Sequence, residues 1–227
     1  MDVHTPTPER PARTGKQPLI GTAVTALTAV VGLAIVIVTR EHNGPFGFER
    51  MWMNTLVEHR SSFLTVVMLS LDGLGGGWIT VLLGGAAAGV FVVWRRPWAA
   101  TCLVLSLVAC SALVYLVKVV VARPRPIDIL VVTDFGSYPS GHSATAAVIA
   151  ATLGFLFQRT WVWVVGGIYT VAMMFSRTYL GAHWISDTVA GVLLGIAVAA
   201  ILFAVFARRL DAERTRARPA TTSAPGR

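Results

Sequence analysis

Apolar runs of bilayer length recur along this chain and dictate its solvent. A helix needs about 20 apolar residues to cross the hydrocarbon layer. Six stretches reach or approach that length, at about 18–39, 73–94, 98–121, 140–157, 161–175 and 185–206. In lipid every backbone polar group must bond internally, so such runs fold as helices. The composition agrees: 55% of residues are hydrophobic and 13% charged, where soluble domains carry about a quarter charged residues. The expectation is an all-α fold, a six-span transmembrane bundle forming one domain at 18–207. A disordered polar tail at 1–17 and a disordered basic tail at 208–227 flank it.

The first run is longer than the roughly 7–15 residues of a signal-peptide core. It ends Ile37-Val38-Thr39-Arg40 with no small-x-small cleavage site, so it reads as an uncleaved anchor. Residues 40–60 form an outer loop. From Ser61 to Leu71 the chain is too short to span, and Phe63, Val66, Val67 and Leu71 share one helical face, which fits an interfacial or re-entrant helix. Asp72 then marks a boundary. Gly85 to Gly89 in the second span, and Gly191 with Gly195 in the last, have the spacing of close helix contacts. Cys102 and Cys110 are eight residues apart on one span, about 12 Å, too far for a disulfide; they read as small core residues.

The formal charge of +8 raises nucleic acid as a partner, but its distribution gives a different account. With six spans both termini share a side, and that side collects twelve Lys and Arg residues against seven on the other. The positive-inside rule then puts both termini in the cytoplasm. The basic balance reflects topology and attraction to anionic lipid heads, and no nucleic-acid partner is expected.

The same threading gathers chemistry on the outer face. Lys118 ends the third span and Arg125 follows in the loop. Ser140, Gly141 and His142 open the fourth, Arg177 ends the fifth, and His183 and Asp187 open the sixth. Each has a plain structural reading: Arg177 and Asp187 can snorkel, His183 can cap a helix, and Ser140 is a good N-cap. Together they make a site for a phosphate-like anion. Lys118 offers a point charge, while Arg125 and Arg177 offer planar forks. The first amides of the fourth helix add donors and a favourable dipole, and Gly141 permits close approach. Asp187, one turn from His183, can hold one imidazole nitrogen and free the other. Asp134 is a possible compensating charge for His142.

These residues resemble a known signature. Lys118, six residues, Arg125-Pro126; Pro139-Ser140-Gly141-His142; and Ser176-Arg177, five residues, His183, three residues, Asp187 follow the three-part pattern of the type-2 phosphatidic acid phosphatase superfamily. The context Tyr179-Leu180-Gly181 and His183-Trp184 is similar to its bacterial membrane members. Tyr138 stands where Phe is common. The resemblance covers about 60–207. Soluble vanadium haloperoxidases share the signature, but the spans argue against that branch.

The resemblance implies a two-step hydrolysis. His183 would attack phosphorus to form a phosphohistidine, oriented by Asp187. His142 would protonate the leaving oxygen and then activate water. Lys118, Arg125, Arg177, Ser140 and Gly141 would hold the equatorial oxygens. No metal and no other cofactor is required, because cations already neutralise the charge. The implied substrate is a membrane-lipid phosphate or diphosphate, such as a polyprenyl diphosphate, phosphatidic acid or phosphatidylglycerol phosphate. The implied location is the plasma (inner) membrane with an extracytoplasmic site. The other class of function is a phospholipid-binding or transporting protein that uses the anion site without turnover. A bare anion site, however, has no need of two histidines and an orienting carboxylate.

Overall fold

The structure, a computed structural model, describes residues 16–216. Most of the expected N-terminal tail and residues 217–227 therefore lie outside the described residues. Eight α-helices follow one another: α1 (Lys16–Val38), α2 (Gly47–Glu58), α3 (Ser62–Gly75), α4 (Gly77–Val93), α5 (Pro97–Val121), α6 (Gly141–Phe157), α7 (Thr160–Tyr179) and α8 (Ile185–Arg216). A 3-10 turn, Glu41–Asn43, links α1 to α2.

Local sequence explains the boundaries. Pro97 opens α5 at a position where its missing N–H is harmless. Ala122 closes α5 in the left-handed conformation and returns its N–H to the Lys118 carbonyl. Ser140 caps α6, its Oγ accepting the Ser143 N–H at 3.4 Å. Between α3 and α4 the run Gly75-Gly76-Gly77 breaks the helix by 55°, and Gly77 takes φ +57.

Helices α1, α4, α5, α6, α7 and α8 lie where the six apolar runs were expected. Three of them, α1, α5 and α8, are long and apolar enough to cross a membrane, and α3 with α4 passes jointly as a bent pair. Helix α6 is apolar but has 17 residues, about 25 Å of rise, and it sits among other helices rather than alone in lipid. The outward faces are strongly apolar: Val31 and Ile35 on α1, Val108 and Val120 on α5, and Ile168 and Val171 on α7 are all exposed. That belt suits hydrocarbon, not water.

The core is built by α1, α5, α6 and α8 around Val30, Val114, Val148, Leu194 and Val198. Helix α8 lies closest to α6. A Cβ on Gly191 would collide with the Ser140 carbonyl, and one on Gly195 with the Ala144 carbonyl. These two glycines do provide close contact. Gly85 and Gly89 do not, since nothing lies within 4 Å of a Cβ there; the tight glycine of α4 is Gly84, against Leu107. The helical repeat explains the error, because a small-residue run has several faces and only packing selects one.

Helix α8 also runs further than expected, to Arg216 rather than to about 206. Residues 208–216 are helix, not tail. Glu213 explains the extension: its carboxylate accepts the amides of Trp98 at 2.5 Å and Ala99 at 3.2 Å, capping α5 from a distant segment.

Candidate active site

The motif residues come together at one end of the bundle. Lys118 lies in the last turn of α5, His142 in the first turn of α6, Arg177 in the last turn of α7, and Asp187 in the first turn of α8. Arg125 and His183 come from the loops between. The loop 122–140 is anchored on several sides. Tyr138 donates to the Val30 carbonyl at 2.6 Å, Leu130 N–H to the Leu180 carbonyl at 2.9 Å, and Arg60 to the carbonyls of Asp128 at 2.8 Å and Tyr179 at 3.1 Å. Gly181, at φ +70, lets the Asp128 carbonyl approach where any Cβ would collide.

His183 is almost wholly enclosed, with 2% of its side chain exposed. Its Nδ1 lies 2.7 Å from the Ser137 carbonyl, so this nitrogen carries the proton and donates it. Asp187, expected to hold one imidazole nitrogen, lies 3.8 Å from Nδ1. It contributes charge, while the backbone carbonyl sets the tautomer. The Asp187 carboxylate is occupied on its other side: Oδ2 accepts the Trp184 N–H at 2.9 Å and Oδ1 accepts from Arg123 at 2.5 Å. Burial pushes the His183 imidazole down to about 4, opposed by Asp187 and assisted by the Arg125 and Arg177 charges. At neutral pH the ring is uncharged and Nε2 keeps its lone pair. That nitrogen is 3.3 Å from the Arg125 guanidinium, so it faces the cation cluster.

Behind Asp187 stands a network absent from the sequence expectations. Arg123 is fully buried and joins Asp187 to Glu49, at 2.7 Å, and to the Ser186 hydroxyl, also at 2.7 Å. Glu49 in turn accepts the Ser186 amide at 2.9 Å and its hydroxyl at 2.5 Å. Two carboxylates thus flank one guanidinium, with both members of each pair at 0% exposure. Breaking one partner of such a buried group leaves an uncompensated charge and costs several kcal/mol, roughly 3–5. Helix α2 is thereby fastened to the start of α8.

His142 sits differently. A quarter of its side chain is exposed, and Nε2 lies 3.2 Å from the Asp72 carboxylate. Asp72 also pairs with Arg177. The compensating charge for His142 is therefore Asp72, not Asp134. The triglycine break makes room for this arrangement, since a Cβ on Gly76 would collide with His142 Nε2.

Asp134 instead bridges Lys118 and Arg125. It accepts from Lys118 Nζ at 2.8 and 3.0 Å and from Arg125 at 2.5 Å. Burial acts to raise its carboxyl, but Lys118 and Arg125 outweigh that and hold it below the usual carboxylate range. Its side chain is 70% exposed. A cavity of about 280 Å³ opens here, lined by Gly76, Lys118, Asp134, Gly141 and His142. Ser140 is fully buried and spends its hydroxyl on the helix cap; Gly141 reaches the cavity wall, Ser140 does not.

Residues 99–211 match the PAP2 superfamily. The chain is 30% identical over 177 residues to the undecaprenyl-diphosphatase of Sulfolobus acidocaldarius, covering 74% of this chain and 82% of that protein. The chain belongs to the PAP2 superfamily. Another PAP2 relative, phosphatidylglycerophosphatase B of Bacillus subtilis, is 28% identical over 60% of this chain and 72% of its own length. The fold is that of the transmembrane PAP2 type phosphatidylglycerolphosphate phosphatase from B. subtilis, at a TM-score of 0.73 and 22% identity over 82% of this chain and 96% of the other. It is also that of Aquifex aeolicus LpxE, at 0.62 and 23% over 70% and 96%.

The PAP2 match runs from the third residue of α5 to near the end of α8, and so carries every residue of the three motifs. Glu49 and Asp72 precede it. A second feature also involves the region before it. A mostly apolar cavity of about 410 Å³, lined by Gly84, Gly85, Val104, Leu107 and Val108, shares Thr80, Val81, Ser111 and Thr145 with the cavity beside Lys118 and His142. It runs between α4 and α5, and Gly85 forms its wall rather than a helix contact.

Proposed function

We propose that this membrane protein hydrolyses the phosphate or diphosphate of a membrane lipid in two displacements at phosphorus, through a phosphohistidine at His183. The observation that carries the reading is the state of His183: neutral, its Nδ1 proton committed to Ser137, and its Nε2 turned to the Arg125 guanidinium. A nucleophile needs that lone pair, and a phosphoryl group needs those cations.

In the first step Nε2 attacks phosphorus and the ester or anhydride P–O bond breaks. Lys118, Arg125 and Arg177 carry the charge on the equatorial oxygens, joined by the amides that open α6. His142 gives its proton to the leaving oxygen, with the Asp72 carboxylate 3.2 Å from its ring. In the second step His142 takes a proton from water, water attacks phosphorus, the N–P bond breaks and phosphate leaves. Asp187 stabilises the positive charge that the His183 ring carries while phosphorylated. The cations supply the charge neutralisation that a metal ion would otherwise provide.

The lipid class is supported by the apolar cavity that continues from the catalytic one between α4 and α5. A headgroup phosphate in the polar cavity would leave its chain in that groove. Polyprenyl diphosphate, phosphatidic acid and phosphatidylglycerol phosphate all fit this description, and the relatives named for undecaprenyl diphosphate and phosphatidylglycerophosphate support it. In this reading α1, α4, α5, α6, α7 and α8 all cross, both termini are cytoplasmic, and the site faces outward across the plasma membrane. One domain, 18–207, carries the activity.

Purified protein assayed on a panel of these lipids tests the reading. Phosphate is released, EDTA leaves the rate unchanged, and vanadate competes with substrate. Binding of the lipids without phosphate release would instead make this a binding or transporting protein. Orientation is tested separately with single cysteines at Gly44 and Thr222 in a background lacking Cys102 and Cys110. Impermeant reagent labels 44 and not 222 on intact cells.

A further inference from the structure

A larger cavity, about 540 Å³, lies at the other end of the bundle, about 30 Å along α5 from Lys118. Arg96, Gln158, Arg159, Arg214 and Thr215 line its polar side, with Leu156 and Phe157 beside them. The three arginines come from separate places: the α4–α5 turn, the α6–α7 turn, and the part of α8 that extends past the bundle. Glu213 holds that extension against the start of α5, which is what brings Arg214 into the group.

The positive charge here is poorly compensated. Glu213 is committed to the α5 amides. Asp211 is 68% exposed and 3.9 Å from Arg214. Arg96 and Arg214 repel each other. Arg214 spends one nitrogen on the Phe155 and Leu156 carbonyls at 2.8 and 3.0 Å. The Arg96 guanidinium lies over the Phe91 ring at 5.6 Å, and its Nε and Nη2 are buried without an acceptor among the described residues. Buried guanidinium donors without acceptors are rare and costly. Three converging guanidiniums, a roomy cavity and an apolar flank at the level where the helices end suit a tetrahedral oxyanion carried on a lipid.

We infer that this cavity is a second, non-catalytic phosphate site, which takes the phosphate of an anionic phospholipid head. It shares no residue with the catalytic cavity. The same chemistry would accept free phosphate, so the test separates the two. The full chain in detergent is offered phosphatidylglycerol, whose phosphate is a diester, or phosphatidylcholine, and bound lipid is counted by native mass spectrometry. One phosphatidylglycerol is retained per chain in preference to phosphatidylcholine. Retention falls about tenfold in Arg159→Gln and in Arg96→Gln, a loss of about 1.4 kcal/mol, and is unchanged in Arg125→Gln. Arg159 is exposed, so its substitution leaves the fold intact, and turnover of a soluble aryl phosphate by Arg159→Gln stays at the parent level. Displacement of the lipid by millimolar inorganic phosphate assigns the site to phosphate in general, and persistence assigns it to the lipid head. Equal retention of the two lipids, or loss in Arg125→Gln with retention in Arg96→Gln and Arg159→Gln, overturns the inference.

Discussion

The two histidines of the site live in contrasting surroundings. His183 is sealed, 2% exposed, tied to a backbone carbonyl and backed by the buried chain Asp187, Arg123 and Glu49. His142 is a quarter exposed, borders the cavity, and rests on a glycine break beside Asp72. The difference matches what each would have to do in the proposed reaction. A nucleophile gains from being neutral, rigid and aimed before the substrate arrives. A residue that must give a proton to one oxygen and take one from water needs access to both. Enclosure suits the first role and would disable the second.

That contrast breaks most visibly on removing His183. His183→Ala should lower turnover by about 10⁴-fold or more and abolish the acid-labile covalent phosphate in rapid-quench experiments with labelled substrate. Near-parent turnover would end the assignment. His142→Ala should cost about 10²–10³-fold on a lipid phosphate, but under about tenfold on an activated aryl phosphate, whose leaving group needs little protonation. The covalent label should persist in it. Loss of the label in His142→Ala and its retention in His183→Ala would exchange the two roles.

The enclosure itself is tested through its outer members. Glu49→Gln and Asp187→Asn should each lower kcat by about 10–100-fold with little change in KM, an effect expected of misoriented chemistry. The pH profile separates orientation from titration. The folded imidazole of His183 stands near 4, below the usual value of about 6.5, and Asp187 pulls it upward. Removing that charge moves it further down, so the acid limb of kcat/KM must not shift to higher pH. The same sign governs stability. The unfolded chain binds a proton between about 6.5 and 4 that folded His183 refuses, so this contribution is complete above that window and lost as pH falls through it. A limb displaced upward in Asp187→Asn would contradict the account of why the ring is neutral.

The smallest effect should come from the open side. Gly76→Ala places a methyl against His142 Nε2 and should slow lipid hydrolysis about tenfold by misplacing the acid. It should slow aryl phosphate hydrolysis less and leave the formation of label on His183 near normal. Equal losses on both substrates would mean that the glycine break supports the whole site and not the acid alone.

Much of this was legible in the order of residues. Lys118, Arg125, His142, Arg177, His183 and Asp187 were placed at one end because each sits where an apolar run stops, and runs of bilayer length have only two ends. The supporting residues carried less signal. Glu49 lies in the short amphipathic helix α2, where one more acid looks like a solvated face. Arg123 reads as one of two arginines in Arg123-Pro124-Arg125-Pro126, and spacing singled out only the second. Asp72 carries a usable sign, since a lone carboxylate between apolar stretches is a functional candidate by default, although its position alone marks only a boundary between two apolar runs. The carbonyl of Ser137 could not have been found, since a backbone acceptor leaves no mark on residue identity. The end of α8 was missed for a related reason, because its stop depends on Glu213 meeting the amides of α5, more than 110 residues away in the chain.

Asp134 bears on what happens after chemistry. Its carboxylate rests on Lys118 and Arg125 while remaining open to water. In the proposed reaction phosphate would not fill an empty cluster; it would displace an anion that is tethered to the loop. Entry is therefore an exchange, and the free energy of binding is the difference between two attractions rather than the whole of one. The same tether operates in reverse on the product. Inorganic phosphate left on the cations faces a competitor at high effective concentration, and each return of the carboxylate favours its departure. A site built to stabilise the highly charged transition state of the proposed reaction would thereby avoid holding its product too long.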